Sequence, residues 1–164
     1  MTENATLTHA VRDDALADSR EAVAHFAARL RFETDGSDVA AAMATGDPGF
    51  VLVDSRSSAA WAQGHLPAAL HCPTAEIPDR GSALVGDARL VVVYCWGPGC
   101  NGATKAALAF ARLGHPVQEL LGGFEYWSRE GLPVESAEGT SRRVGDPLTT
   151  VSSAVSCDSV SCDC

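Results

Sequence analysis

Two thiols stand close together in the run Cys95-Trp96-Gly97-Pro98-Gly99-Cys100-Asn101-Gly102. Cys95 directly follows the apolar, β-branched run Leu90 to Tyr94, which reads as a strand buried on both faces. From Ala103 the pattern turns helical, with apolar residues at Ala107, Leu108, Ala111 and Leu113 and a stop at Gly114. A cysteine at the carboxyl end of a buried strand, with a tight loop leading into a helix N-terminus, stands where open α/β sheets place their chemistry. Free N–H groups and the positive end of the helix dipole favour an anion there. A thiolate in that setting is expected to have a lowered pKa and to act as a nucleophile. Cys95 is therefore the expected catalytic residue, against the alternative of an inert buried thiol. The backbone N–H groups from Gly97 to Ala103 are expected to bind the substrate, with Trp96 at the start of that loop. Cys100 is open to three readings: a resolving thiol, a second sulfur site, or a small residue filling the loop.

Other residues are expected to support this centre. Asp54 and Arg56 end an earlier strand, and a strand-end carboxylate commonly fixes a loop, so a structural pairing is favoured. His65 stands in a turn and is expected to bond backbone rather than touch substrate. Trp61 and Trp127 are expected to pack. Trp96 either walls the pocket or lies over the surface. Cys157, Cys162 and Cys164 match no recognised four-ligand zinc pattern, so no metal site is assigned; a flexible thiol tail that accepts or protects sulfur is the alternative.

The elements that must position these groups are short. Met1 to Asp18 reads as a mobile N-terminus. Ser19 can cap a helix with Val23, Phe26, Ala27 and Leu30 on one face. Phe32 to Thr34 is a candidate strand, and Ser37 or Asp38 can cap a short helix through Met43. Phe50 to Asp54 is a buried strand, followed by a helix opened by Ser57 or Ser58 and a turn at Gly64-His65-Leu66-Pro67. Ala69 to His71 is a strand edge, Pro73 to Arg80 a helical turn, and Gly81 to Ala88 a surface loop. Val117 to Leu121 is the next strand, and Phe124 to Glu130 a last helix ended by Gly131-Leu132-Pro133. Strands alternating with helices predict an α/β fold, a small parallel sheet flanked by helices on both faces. The domain is expected over residues 19–134. From Glu135 to Cys164 the chain is rich in Ser, Thr, Asp and Gly, which predicts a disordered, cysteine-bearing tail.

The 164 residues suffice for one domain with a core, and 46% are hydrophobic. The net charge of −9 argues against nucleic acid and anionic membranes as partners. Met1 to Asp14 lacks a basic start followed by an apolar core, so the default location is the cytoplasm, where thiols stay reduced. No oligomeric state follows from the sequence.

Three separated stretches then point one way. Val53-Asp54-Ser55-Arg56 with Trp61-Ala62-Gln63-Gly64-His65-Leu66-Pro67-Ala68-Ala69 resembles the opening signature of rhodanese-like domains. Val93-Tyr94-Cys95 with its glycine-containing loop and alanine-rich helix resembles their active-site loop. Leu121-Gly122-Gly123-Phe124-Glu125-Tyr126-Trp127 with Gly131-Leu132-Pro133 resembles their closing signature. The resemblance, over Leu30 to Val134, implies a rhodanese fold and sulfur transfer through a persulfide on Cys95. It implies a small sulfur donor, a thiol, cyanide or protein acceptor, and no metal or organic cofactor. The chain looks like a subgroup sharing the long Cys-Trp-Gly-Pro-Gly-Cys-Asn-Gly loop. The family's usual loop is shorter and carries a basic residue, whereas this one is uncharged, and Ala68 stands where a glycine is usual. Poor use of thiosulfate is the expectation. Two other readings use the same residues. Phosphatases and arsenate reductases on this fold also lengthen the loop, but with an arginine that this loop lacks. A non-catalytic protein-binding or redox-sensing module needs no loop cation.

Overall fold

The run ending in Tyr94 forms strand β4 (Val91–Tyr94), buried along its whole length. In the computed structural model, which describes residues 16–150, β4 is the middle of a five-stranded sheet. Its neighbours are β2 (Val51–Asp54) and β5 (Val117–Leu120), in register Val51 with Val91 and Val91 with Val117. The two-residue strands β1 (Glu33–Thr34) and β3 (Leu70–His71) form the edges, beside β5 and β2. Every pairing in this sheet is parallel, so each strand-to-strand return needs a crossover. Helices supply them: α2 (Gly36–Ala44), α3 (Ser58–Gln63), α4 (Ile77–Val85) and α5 (Gly102–Arg112).

Side chains alternate across the sheet, so β4 feeds two cores. Val91 and Val93 pack with Val53, Cys72, Ile77, Ala106 and Phe110 on one face. Val92 and Tyr94 pack with Val39, Leu52, Leu66, Leu120 and Trp127 on the other. Trp127 belongs to helix α6 (Gly123–Arg129) and donates its indole N–H to the Pro133 carbonyl at 2.7 Å. The expected fold class, a parallel sheet covered on both faces, is the one observed.

Several local expectations are corrected. The segment after Arg80 is helix rather than loop, because Gly81 is a close-contact residue and not a breaker. A Cβ there would sit 3.0 Å from Ile77 and 3.1 Å from Phe110, so the missing side chain lets α4 approach α5. On α5 the buried stripe is Ala103, Ala106 and Phe110, and Leu108 is exposed. The N-cap of α2 is Asp35, whose carboxylate accepts from the Asp38 N–H at 2.9 Å.

Residues 16–31 belong to a separate unit. Helix α1 (Ser19–Phe32) is capped by Asp18 rather than Ser19: Asp18 Oδ1 accepts from the N–H groups of Arg20 and Glu21, and Glu21 reaches back to the Asp18 N–H. None of its residues is buried, Val23, Phe26 and Leu30 included.

The stretch from Glu135 was expected to be disordered. Up to Thr150 it is not. β6 (Val134–Ser136) and β7 (Gly139–Ser141) form an antiparallel hairpin, and His65 and Glu135 exchange two backbone hydrogen bonds of 2.9 Å. The Asp146 N–H then returns to the Arg129 carbonyl at 2.6 Å. Short polar strands that pair with each other lack the apolar alternation that marks a strand in sequence. The expectations for residues 1–15 and for Cys157, Cys162 and Cys164 lie outside the described residues. Among the described residues no helix is long and apolar enough to cross a membrane.

Candidate active site

β4 delivers Cys95 to the carboxyl edge of the sheet, where the residue is only 7% exposed. The backbone there is pinned from two sides. The Ser55 N–H donates to the Tyr94 carbonyl at 3.0 Å, as does the Ser55 hydroxyl at 2.7 Å. From the other side, the first turn of α6 donates Phe124 N–H to the Cys95 carbonyl at 3.0 Å and Glu125 N–H to the Trp96 carbonyl at 2.7 Å. That approach explains Gly122-Gly123. Gly123 has φ +54°, and a Cβ on it would sit 2.5 Å from the Cys95 carbonyl oxygen.

The loop then brings Cys100 back over Cys95. Their Sγ atoms are 3.3 Å apart, and the Gly102 N–H points at Cys100 Sγ from 3.3 Å. Only glycine fits at 102, since a Cβ there would fall inside hard contact with Cys95 Sγ. The Cys100 N–H is spent on the Gly97 carbonyl at 3.0 Å, closing a turn around Pro98-Gly99, and the sulfurs are served by the amides of Trp96 and Gly102. Asn101 precedes α5 without a side-chain cap. Ala103 is buried at the first turn of α5 and lines the cavity.

The expected lowering of the Cys95 pKa is corrected. Burial pushes the Cys95 thiol up, and so does its hydrogen bond to Cys100. Cys100 moves the other way, lowered by the Gly102 amide and by Cys95 as donor. The first negative charge of the pair therefore rests on Cys100.

Both sulfurs face a cavity of about 420 Å³. Its charged lining residues are Asp35, Glu119 and Glu130, with no Lys or Arg among them. The Glu130 carboxyl is pushed up by burial and by Asp35. Sequence reasoning missed these carboxylates, because three different segments carry them to the cavity.

Asp54, Arg56 and His65 do not line it. Arg56 is fully buried and forms a fork with Asp54: Nε donates to Oδ1 and Oδ2 at 3.0 and 3.1 Å, and Nη2 to Oδ2 at 2.6 Å. Nη2 also reaches the Gly64 carbonyl at 2.7 Å. Asp54 further accepts from the Tyr94 hydroxyl at 2.6 Å, and that oxygen accepts the Leu66 N–H at 3.0 Å. Trp96 is 43% exposed, with the guanidinium 4.7 Å from its ring centroid and 4.1 Å from that of Phe124; the two rings meet edge-on at 5.9 Å beside a separate surface hollow. His65 stacks on Trp61 with centroids 3.5 Å apart, its Nδ1 lying 3.2 Å from the Trp61 carbonyl oxygen. These residues hold the strand ends and the Gly64 turn together.

The sequence profile of the Rhodanese-like domain matches residues 36–130, more than half of the chain. The chain belongs to the rhodanese-like domain family. A sulfurtransferase of Allochromatium vinosum is 40% identical over 89 residues, 54% of this chain and 81% of that protein. The thiosulfate sulfurtransferase GlpE of Pseudomonas fluorescens is 35% identical over 101 residues, 62% of this chain and 90% of that one. An HTH-type transcriptional regulator of Mycobacterium tuberculosis is 39% identical over 84 residues, 51% of this chain but only 37% of the regulator, so the chain spans about a third of that relative. Among solved structures, the BH2092 protein of Bacillus halodurans superposes with a TM-score of 0.70 at 39% identity, over 74% of this chain and 89% of its own. Sulfur transfer is thus a named property of several members close to this rhodanese-like chain.

Proposed function

We propose that this rhodanese-like domain is a sulfurtransferase or persulfide carrier, with Cys95 as the residue that holds the sulfane sulfur. The observation that carries the reading is the sheet-anchored Cys95 sulfur, 3.3 Å from a second thiol and open to the cavity. The names of the relatives support the reaction class.

Cys95 sulfur attacks the sulfane sulfur of a donor. A new S–S bond forms, the donor's own bond to that sulfur breaks, and its electron pair leaves with the departing thiolate or sulfite. The Cys95 proton passes to the Cys100 thiolate across the hydrogen bond between the two sulfurs. The loop amides of Trp96 and Gly102 then stabilise the sulfur anions. An acceptor thiol or cyanide removes the sulfur in a second step.

The cavity lining bears on the donor. Thiosulfate is a dianion, and the cavity it would enter is lined by Asp35, Glu119 and Glu130 and by no Lys or Arg. The expected outcome is that a thiol-bound donor such as glutathione persulfide outperforms thiosulfate by about tenfold or more, a difference of about 1.4 kcal/mol in barrier. Rates with cyanide as acceptor, measured for thiosulfate, mercaptopyruvate and glutathione persulfide, test this. Thiosulfate as much the best donor would refute it.

A further inference from the structure

The proposed sulfur carrier has a second thiol in contact with the first, and the transfer of sulfur to an external acceptor does not use it as a nucleophile. Cys100 Sγ stands 3.3 Å from Cys95 Sγ, within the ~3–3.5 Å separation of reacting atoms poised for attack. Three features hold it there rather than leaving it to drift on the loop. The Cys100 N–H closes the turn to the Gly97 carbonyl, the Gly102 N–H points at its sulfur, and glycine at 102 leaves both sulfurs room to meet. The cavity of about 420 Å³ beside Cys95 gives a place for an outer sulfur to stand and to leave.

We infer that Cys100 attacks the inner sulfur of the Cys95 persulfide, so that the domain releases hydrosulfide and closes a Cys95–Cys100 disulfide. This rests on the persulfide reading of Cys95. The step balances without an outside reagent. The proton that Cys100 took from Cys95 moves to the outer sulfur. The Cys100 sulfur bonds to Cys95 Sγ, the Cys95–outer sulfur bond breaks, and its electron pair leaves as HS⁻. The two cysteine sulfurs are oxidised to the disulfide, and the sulfane sulfur is reduced to sulfide. A dithiol reductant returns the pair to thiols by exchange, itself becoming a disulfide. The domain so read is a dithiol-dependent sulfide-releasing enzyme as well as a carrier, and without a dithiol it stops after one turnover. The Gly102 amide and the Cys95 thiol hold the Cys100 pKa below the usual thiol value, which favours the thiolate that the attack needs.

A single-turnover experiment on the full chain tests this. The protein is reduced, freed of reductant and mixed with glutathione persulfide. Sulfide is measured above the level released with Cys95→Ser, and intact mass is read in parallel. The wild type is expected to release close to one equivalent of sulfide and to lose the mass of two hydrogens. Cys100→Ser, with Cys100→Ala beside it, is expected to gain the mass of one sulfur and to hold it, with sulfide release falling about tenfold or more. Wild type that keeps the added sulfur, releases no sulfide and loses no hydrogens overturns the inference while leaving the carrier reading intact. Wild type that neither gains sulfur, nor loses hydrogens, nor releases sulfide overturns the carrier reading and this inference with it.

Discussion

At the scale of single residues, the site divides its labour between two thiols. Cys95 has the fixed position: a strand behind it, an α6 amide on its carbonyl, and burial that raises its pKa. Cys100 has the lowered pKa, since the Gly102 amide and the Cys95 thiol both favour its thiolate. Nucleophilic attack needs geometry and thiolate together, and in the proposed mechanism proton exchange across the pair would supply both to Cys95 in turn. This sets the order of titration. A lowered pKa means that thiolate appears as pH rises through a value below the ordinary 9.0, and a raised one means that it appears only above it. Iodoacetamide labelling followed by peptide mapping is therefore expected to mark Cys100 first, with a midpoint below 9.0. In Cys100→Ser, labelling of Cys95 is expected to rise only in more alkaline solution, because desolvation, the larger cause of its shift, remains. Equal profiles for the two thiols would contradict the assignment of charge. The place of Cys95 was legible because a β-branched run ends on it. The direction of Cys100 was not, because the dihedrals of Gly97-Pro98-Gly99 follow from no pattern of residue types.

At the scale of elements, the turns do the positioning. The chain between α3 and β3 passes through Ala68 at φ +57°, a left-handed conformation that costs a residue with a Cβ roughly 1–2 kcal/mol. The resemblance to the family placed a glycine there, and the backbone gives the physical reason. Ala68→Gly is expected to raise stability by about 1 kcal/mol, read as a higher urea midpoint with unchanged slope. A lower midpoint would mean that the turn is not strained. The same logic explains which elements could be read in advance. β2 and β4 were legible as apolar runs because the middle of a parallel sheet is covered on both faces. Helix α4 was not, because Gly81 reads as a breaker until Phe110 is seen against it. The cap of α2 was misplaced because Asp35, Ser37 and Asp38 are all competent caps, and only the backbone chooses among them.

At the scale of the whole molecule, the domain does not end at Val134. Glu135 bridges to His65, and the segment around Gly145 returns to Gly131, where a Cβ would meet the Arg143 carbonyl at 3.1 Å and the Gly145 nitrogen at 3.3 Å. Arg129 holds Asp146 by its carbonyl and by an ion pair of 3.7 Å. Cutting the chain after Glu135 is therefore expected to cost about 1–2 kcal/mol and to lower the melting temperature by a few degrees, not to leave it unchanged. An unaltered melting curve would show that the contacts made beyond Glu135 contribute nothing. The segment was illegible in advance because its composition is polar and its hydrogen bonds run between backbones, which composition does not report.

The central claim is that Cys95 carries the sulfur. It is tested most directly by loading Cys95→Ser and Cys100→Ser in parallel with glutathione persulfide, blocking thiols and persulfides at once with an alkylating reagent, and mapping the modified peptides. Added sulfur is expected on Cys95 in Cys100→Ser and on neither position in Cys95→Ser. Added sulfur on Cys100 that survives Cys95→Ser would contradict it.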